Sequence, residues 1–383
     1  MSPTAPSPPR RRVVLALGTR PEAVKLAPLA HELARRDDRF ETQIWLTAQH
    51  REQLDPILKD FDLHAERDFD LMRPGQTLTD VTVGVLRAME TALAETRPDC
   101  LVVQGDTTTV LAAALAAFYA RVEVAHVEAG LRTGLKHSPW PEEMNRQLAT
   151  RLADFHFAPT ERARRNLLDE GVDPERVWVT GNTVIDALAW MIERVRARPP
   201  EMPEGWPGER MDADAPLVLM TGHRRENFGA GLKAICRAVA QLAERFEATQ
   251  FVYPVHLNPN VREPVRTTLG GRPNVHLIEP MAYRCFVAAM DRADVILSDS
   301  GGVQEEATWL GKPILVMRET TERPEAVEAG AARLVGADEE AIVRETARLL
   351  DDPAARADMA RAHDVFGDGH AAQHIADILE GVS

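Results

Sequence analysis

The stretch Asp294-Val-Ile-Leu-Ser-Asp-Ser300-Gly-Gly-Val-Gln-Glu-Glu306-Ala decides how this chain is read. Its apolar run, Val295–Ser298, has the length and composition of a buried strand. The run breaks at Ser300-Gly301-Gly302, and from Val303 the residues read as a helix. A strand, a glycine turn and a helix start gather unpaired backbone N–H groups at one point, which suits an anion. Gly301 and Gly302 let a phosphate or pyrophosphate approach the backbone closely, and Ser300 adds a hydroxyl donor. Glu306 falls roughly one turn into the helix, near enough to accept hydrogen bonds from a sugar's vicinal hydroxyls. The plain alternative is a strand–turn–helix with a glycine for packing.

Outward from this turn, short apolar runs alternate with longer amphipathic ones. Residues 13–17, 42–46, 100–103, 122–127 and 177–179 read as strands, with helices at 21–35, 78–95, 107–120 and 142–153 between them. Five prolines and two glycines in 195–216 mark a linker. Strands then resume at 217–220, 250–255, 275–278, 295–298 and 314–316. The alternation predicts an α/β chain of two doubly wound, Rossmann-like domains with a cleft between them, ligands sitting beyond the carboxyl ends of the strands.

The 383 residues, 44% of them hydrophobic, suffice for two ordinary domains. A net charge of −14, from 45 Lys and Arg against 59 Asp and Glu, argues against a nucleic-acid or membrane-surface partner, which needs a basic face. Cys100, Cys236 and Cys285 are odd in number and widely spaced, so neither a disulfide framework nor a zinc site is expected. The longest apolar run, 110–120, is too short to span a bilayer. Residues 1–11 are Pro-rich and basic, and the apolar run after them is only a strand; they are expected to be a disordered tail on a cytoplasmic protein.

The motifs fall at strand ends. In Gly18-Thr-Arg20-Pro-Glu22-Ala-Val-Lys25, Arg20 and Lys25 can meet a diphosphate, or Glu22 and Lys25 can form a solvated i, i+3 pair. In Gln104-Gly-Asp106-Thr-Thr-Thr109, Asp106 can act as an acid or cap the next helix. In His126-Val-Glu128-Ala-Gly130, Glu128 follows an apolar strand, a setting that suits general acid/base work. In Pro139-Trp-Pro141-Glu142-Glu143-Met-Asn145-Arg146, Pro141 suits a first helical position, and Glu142 and Arg146 share a face, where a surface ion pair is the plain reading. Asp106, Glu128 and Glu142 thus make a candidate acid/base cluster.

In the second half, Thr221-Gly-His223-Arg224-Arg-Glu-Asn227 follows a strand, and His223 in that run is a candidate to face the acids. His256 ends the next strand, Phe286 can lie beside a flat ring or in the core, and Arg318 and Arg323 add positive charge near the glycine turn. The pattern Gly229-Ala-Gly231-Leu-Lys-Ala234 lacks the tight strand–turn–helix setting of a dinucleotide site, and Lys312 is followed by Pro313 rather than completing a P-loop. No nicotinamide site and no metal site are expected.

The motifs GTRPEAVKLAPL at 18–29, GDTTT at 105–109, HVEAGLRTG at 126–134, SPWPEEMNR at 138–146, TGNTVIDAL at 180–188, GHRREN at 222–227, DSGGVQEEA at 299–307 and TTERPEAVEAG at 320–330 resemble the non-hydrolysing UDP-N-acetylglucosamine 2-epimerases. The resemblance runs over nearly the whole chain after the tail. It implies the GT-B fold, with an N-terminal domain of 12–181 plus 366–383 carrying the acid/base cluster and a C-terminal domain of 182–365 holding UDP. It implies a homodimer that interconverts UDP-GlcNAc and UDP-ManNAc without NAD or a required metal and supplies ManNAc-type sugars for cell-surface polysaccharide. By matching motif, Arg20 and Lys25 are implied near the diphosphate and reacting sugar, and Asp106, Glu128, Glu142 and His223 as catalytic. Ser300, Gly301 and Gly302 are implied at the phosphates, Glu306 at the ribose, Phe286 at the uracil and Arg323 in the same site. Gln49, Arg224 and His256 resemble residues that take a second UDP-GlcNAc as activator.

The C2 hydrogen of UDP-GlcNAc is not α to a carbonyl, and the fingerprint for a nicotinamide that would oxidise C3 is missing. The remaining route expels UDP to give 2-acetamidoglucal and adds it back, which needs a base, an acid and a holder for the departing diphosphate. Which carboxylate is base and which is acid stays open at this point. A UDP-sugar glycosyltransferase of the same fold, or a 2-epimerase of a modified UDP-diacetamido sugar, is the alternative.

Overall fold

Each of the ten apolar runs read as strands forms one, and every pairing between strands is parallel. The computed structural model describes residues 10–47, 51–73, 75–208, 212, 214–222, 224, 227–361 and 364–382, with the backbone alone for 51–53. Contacts divide the chain into two units: one runs to Ala187 and resumes at Gly367, and the other is Leu188–Phe366.

The first unit holds β1 (Arg11–Leu17), β2 (Phe40–Leu46), β3 (Arg67–Asp68), β4 (Cys100–Gln104), β5 (Glu123–Val127), β6 (Phe155–Ala158) and β7 (Val177–Val179), in the sheet order β3-β2-β1-β4-β5-β6-β7. Its helices are α1 (Arg20–Arg35), α2 (Arg51–Asp60), α3 (Leu78–Thr96), α4 (Thr108–Ala120), α5 (Glu142–Leu152), α6 (Glu161–Asp169) and the start of α7 (Thr183–Ala197). The second unit holds β8 (Leu217–Thr221), β9 (Gln250–Pro254), β10 (Val275–Ile278), β11 (Val295–Ser298), β12 (Ile314–Val316) and β13 (Ala332–Leu334), in the order β10-β9-β8-β11-β12-β13. Its helices are α8 (Ala230–Arg245), α9 (Pro259–Leu269), α10 (Tyr283–Arg292), α11 (Gly301–Trp309), α12 (Pro324–Glu328), α13 (Glu339–Asp351) and α14 (Pro353–Met359), and α15 (Ala371–Gly381) belongs to the first unit.

Strands buried on both faces explain the unbroken apolar runs. In the first unit Val14, Ala16, Leu101 and Val103 pack with Val85 and Met89 of α3 and the alanines of α4. In the second, Val218, Met220, Leu297 and Leu315 pack with Ile235, Val239 and Leu242 of α8 and Val265 of α9. In both sheets the strand order reverses beside the first strand, between β1 and β4 and between β8 and β11. Loops leaving these strands therefore diverge over the carboxyl edge, where a parallel sheet receives its ligand.

Several expectations are corrected. Sheet one begins at Arg11, inside the expected tail; its guanidinium donates to the Glu123 carboxylate and to the Leu379 carbonyl, both at 2.6 Å, so a charged residue is buried by distant partners. Residues 1–9 lie outside the described residues. The helix of the opening stretch begins at Gly301 rather than Val303, with Ser300 as its N-cap, since these glycines accept helical angles. Residues 195–197 end α7 rather than open the linker. Three strands escaped the sequence reading: β3 is two residues long, β6 carries a histidine within four residues, and β13 has an arginine at its centre. All three cysteines are free thiols, and no helix among the described residues is long and apolar enough to cross a membrane.

Candidate functional site

In the first unit, the loops after β1, β4 and β5 carry the candidate residues. The β4–β5 register pairs Gln104 with Val127, so Asp106 and Glu128 follow partnered strand ends. Glu128 is a non-glycine residue in the left-handed region, at φ 64°. That conformation costs about 1–3 kcal/mol and persists only where surrounding contacts enforce it. Its Oε2 accepts from the Lys25 ammonium and, at 2.8 Å, from the Asn182 amide, and all three side chains are buried. Gly130, two residues on at φ 89°, has no room for a Cβ, which would lie 2.2 Å from the Ala163 carbonyl oxygen.

Asp106 does not cap α4. Thr107 does, its hydroxyl accepting from the Val110 N–H at 3.3 Å. Freed from that task, the Asp106 carboxylate takes a 2.6 Å bond from the Arg146 guanidinium, and its carbonyl accepts from Asn145 at 2.9 Å. The expected Glu142–Arg146 surface pair is replaced: Arg146 is buried and bridges Asp106 and, at 3.6 Å, Glu143. Glu143 is fully buried and accepts from the Thr133 and Gly134 N–H groups, while Glu142 is half-buried at the first position of α5. Pro141 is the N-cap of that helix, not its first residue.

The expected Glu22–Lys25 pair does not form either. Glu22 is buried and accepts from the Gly18 N–H at 2.5 Å, the Thr19 N–H at 2.8 Å and the Thr107 hydroxyl at 2.5 Å. Burial pushes its carboxyl up to about 7 against the pull of those three donors. It thereby ties the loop bearing Arg20, which is itself exposed, to the Asp106 loop. His126 bonds the Gly105 carbonyl through Nε2 at 2.7 Å, and burial lowers it to about 4. His156, its register partner on β6, is lowered by burial and by His126 to about 3.

In the second unit, β11 delivers Asp299 and Ser300 beside the loop after β8. Asp299 is buried and accepts from the Arg224 N–H at 2.9 Å and the Asn227 amide at 3.3 Å, fastening that loop to the glycine turn. The Ser300 N–H donates to the Ser298 hydroxyl at 3.0 Å. Gly301 is closely packed, because a Cβ there would lie 2.5 Å from an Arg323 guanidinium nitrogen and would push that side chain aside, whereas a Cβ on Gly302 would meet open space. Glu306 is buried and accepts from the Tyr283 hydroxyl at 2.8 Å. Phe286, on α10, is half-buried.

The positive charge expected from Arg318 and Arg323 is compensated locally. Arg323 donates to Glu305 at 2.5 Å and Arg318 to Glu322 at 2.5 Å. Burial alone would raise the Glu322 carboxyl, but Arg323, Arg318 and Arg224 outweigh it and hold it at about 2. His256 is exposed at the end of β9, its Nδ1 accepting from the Asn258 N–H at 3.1 Å. His223 and Gln49 lie outside the described residues. No cluster of metal-ligating side chains occurs among the described residues.

The sequence reading missed Glu22, Asn182, Glu143, Tyr283 and Glu305 as members of these constellations, and saw Arg146 only as a surface partner. Glu22 had a signal, the Thr19-x-x-Glu22 spacing of a capping box, whose second half it forms.

The sequence model of the family described as UDP-N-acetylglucosamine 2-epimerase matches residues 31–380. The Escherichia coli K12 UDP-N-acetylglucosamine 2-epimerase is 53% identical over 372 residues, covering 96% of this chain and 98% of that protein. This chain belongs to the UDP-N-acetylglucosamine 2-epimerase family. A crystal structure of the Neisseria meningitidis UDP-GlcNAc 2-epimerase, bound to UDP-GlcNAc, superposes with a TM-score of 0.92 at 44% identity, covering 96% of this chain and 99% of that one. The Methanocaldococcus jannaschii UDP-GlcNAc 2-epimerase, in complex with UDP-GlcNAc and UDP, gives 0.82 at 32% identity, again covering 96% and 99%. The pair of parallel sheets is the GT-B-like architecture of these UDP-N-acetylglucosamine 2-epimerase structures.

Proposed function

We propose that this UDP-N-acetylglucosamine 2-epimerase (EC 5.1.3.14) interconverts UDP-GlcNAc and UDP-ManNAc by anti elimination and re-addition of UDP. A carboxylate removes the C2 proton while the C1–oxygen bond to the diphosphate breaks, leaving the C1=C2 double bond of 2-acetamidoglucal. A proton is then delivered to the opposite face of C2 as a diphosphate oxygen re-forms the bond to C1. The observation that carries this reading is Glu128, kept in a strained backbone conformation with Lys25 and Asn182 on one carboxylate oxygen. Functional groups are held at such positions because pre-organisation lowers the barrier of proton transfer.

Asp106, gripped by Arg146, is the second proton-transfer group, and Glu142 and His223 are further catalytic candidates by their motifs. Lys25 and Arg20 offer charge to the diphosphate. In the second unit, the Ser300 hydroxyl and the N–H groups of Gly301 and Gly302 take the phosphates, Glu306 takes the ribose hydroxyls, Phe286 lies against the uracil, and Arg323 braces α11 through Glu305. Gln49, Arg224 and His256 are the proposed contacts of an activating second UDP-GlcNAc. A homodimer is supported by the exposed aromatics Phe118 and Tyr119 on α4 and the apolar groove beside them, lined by Leu86, Leu93 and Val122. Free thiols fit a cytoplasmic enzyme, and its ManNAc-type product fits cell-surface polysaccharide synthesis.

The test is turnover of UDP-GlcNAc in D₂O followed by NMR. Deuterium should appear at C2 of UDP-ManNAc, and added NAD should leave the rate unchanged. Protium retained at C2 together with dependence on NAD would overturn the reading.

A further inference from the structure

We propose that Asn182 is a positioning residue for the epimerisation, holding Glu128 in its working place; the proposal rests on the acid/base reading of Glu128. Asn182 stands in the turn between β7 and α7, 54 residues along the chain from Glu128, and is 1% exposed. The turn is tightly seated, since a Cβ on Gly367 would lie 3.0 Å from the Gly181 Cα.

The amide has only one orientation that satisfies its neighbours. Its Oδ1 accepts from the Val184 N–H at 3.1 Å, a group that can only donate, so Nδ2 must face Glu128. Asn182 is therefore the N-cap of α7 on one side and a fixed donor to Glu128 Oε2 on the other. Lys25 donates to the same oxygen, but a lysine brings a mobile point charge on a four-carbon stem. Asn182 is short, buried and braced by a helix. The lysine supplies the charge and the asparagine supplies the place. A carboxylate in a left-handed backbone conformation needs such a brace, because it would otherwise relax away from the position the reaction requires.

Asn182→Asp and Asn182→Ser together test this role, since Asp also sets a like charge against Glu128 and Ser does not. Aspartate keeps the oxygen that caps α7 and exchanges the donor facing Glu128 for an acceptor. Asn182→Ser keeps an N-cap oxygen but withdraws the donor from reach. In both variants kcat should fall about 10²-fold, the scale of a misplaced catalytic group. KM for UDP-GlcNAc and UDP affinity by calorimetry should stay at the parent's values, while the melting temperature falls, more for Asn182→Asp, which sets a second buried carboxylate against Glu128. Parental kcat in either variant would overturn the proposal, as would a kcat loss matched by an equal loss of UDP affinity. Glu128→Gln measured alongside separates the two levels. If it is slow while the Asn182 variants are fast, only the positioning role falls. If it turns over at the parental rate, the acid/base reading falls and the positioning role with it.

Discussion

Glu128 and Asp106 close neighbouring strands, yet each is held by a cation from elsewhere in the chain, Lys25 and Arg146. Removing either carboxylate's charge without changing its shape should slow chemistry and spare the fold. Asp106→Asn and Glu128→Gln should each lower kcat by about 10²–10⁴-fold while UDP binding persists. A variant that keeps the parental rate would remove its residue from the mechanism. In the second unit, Glu306, the proposed ribose acceptor, is already oriented by Tyr283. Glu306→Ala should weaken UDP binding by about 1.5–3 kcal/mol, and Tyr283→Phe by about 0.5–1.5 kcal/mol. Calorimetry that finds both affinities unchanged would place the ribose elsewhere.

Helix α11 opens on two adjacent glycines with different duties. A methyl group at position 301 would strike the Arg323 guanidinium, and moving that group aside disturbs its ion pair with Glu305. Gly301→Ala should cost about 1–3 kcal/mol of stability in denaturant titration. A methyl group at position 302 would meet open space. Gly302→Ala should therefore gain about 0.5–1 kcal/mol from helix propensity, yet bind UDP more weakly if the phosphates come where the methyl stands. A Gly302→Ala variant with parental UDP affinity would move the phosphate site off this helix start.

Across the whole molecule, buried titratable groups set opposing responses to acid, four of them in the first unit. His126 and His156 sit at about 4 and about 3, below the ordinary 6.5. The unfolded chain takes up their protons first, so these two remove stability as pH falls from 6.5 through those values. Glu22 and Asp186 are raised by burial to about 7 and about 6, from 4.5 and 3.8. The folded state takes up their protons first, so each adds stability as pH falls from its raised value toward its ordinary one. The contributions offset each other over much of this window. Melting temperature followed across it should fall more steeply with acid for Glu22→Gln than for the parent, and less steeply for His156→Gln. A Glu22→Gln variant with the parental slope would show that Glu22 takes up no proton there.

The sequence by itself determined the two parallel sheets, because central strands buried on both faces, such as β4, β8 and β11, are written as near-continuous apolar runs, and the shorter or more mixed runs beside them alternate with helices in the same rhythm. It also placed a strand, a glycine pair and a helix start in succession at residues 295–303, although α11 begins at Gly301, two residues earlier than read. What it could not decide is which acids are gripped and by what. Thr107, not Asp106, caps α4, and Arg146 turns from Glu142 to Asp106. Glu128 is held by groups 103 and 54 residues away. Those partners are set by the order in which strands lie side by side and by which loops that order brings to one edge. Period and composition report each segment's own burial; the company a side chain keeps exists only once the sheet has formed.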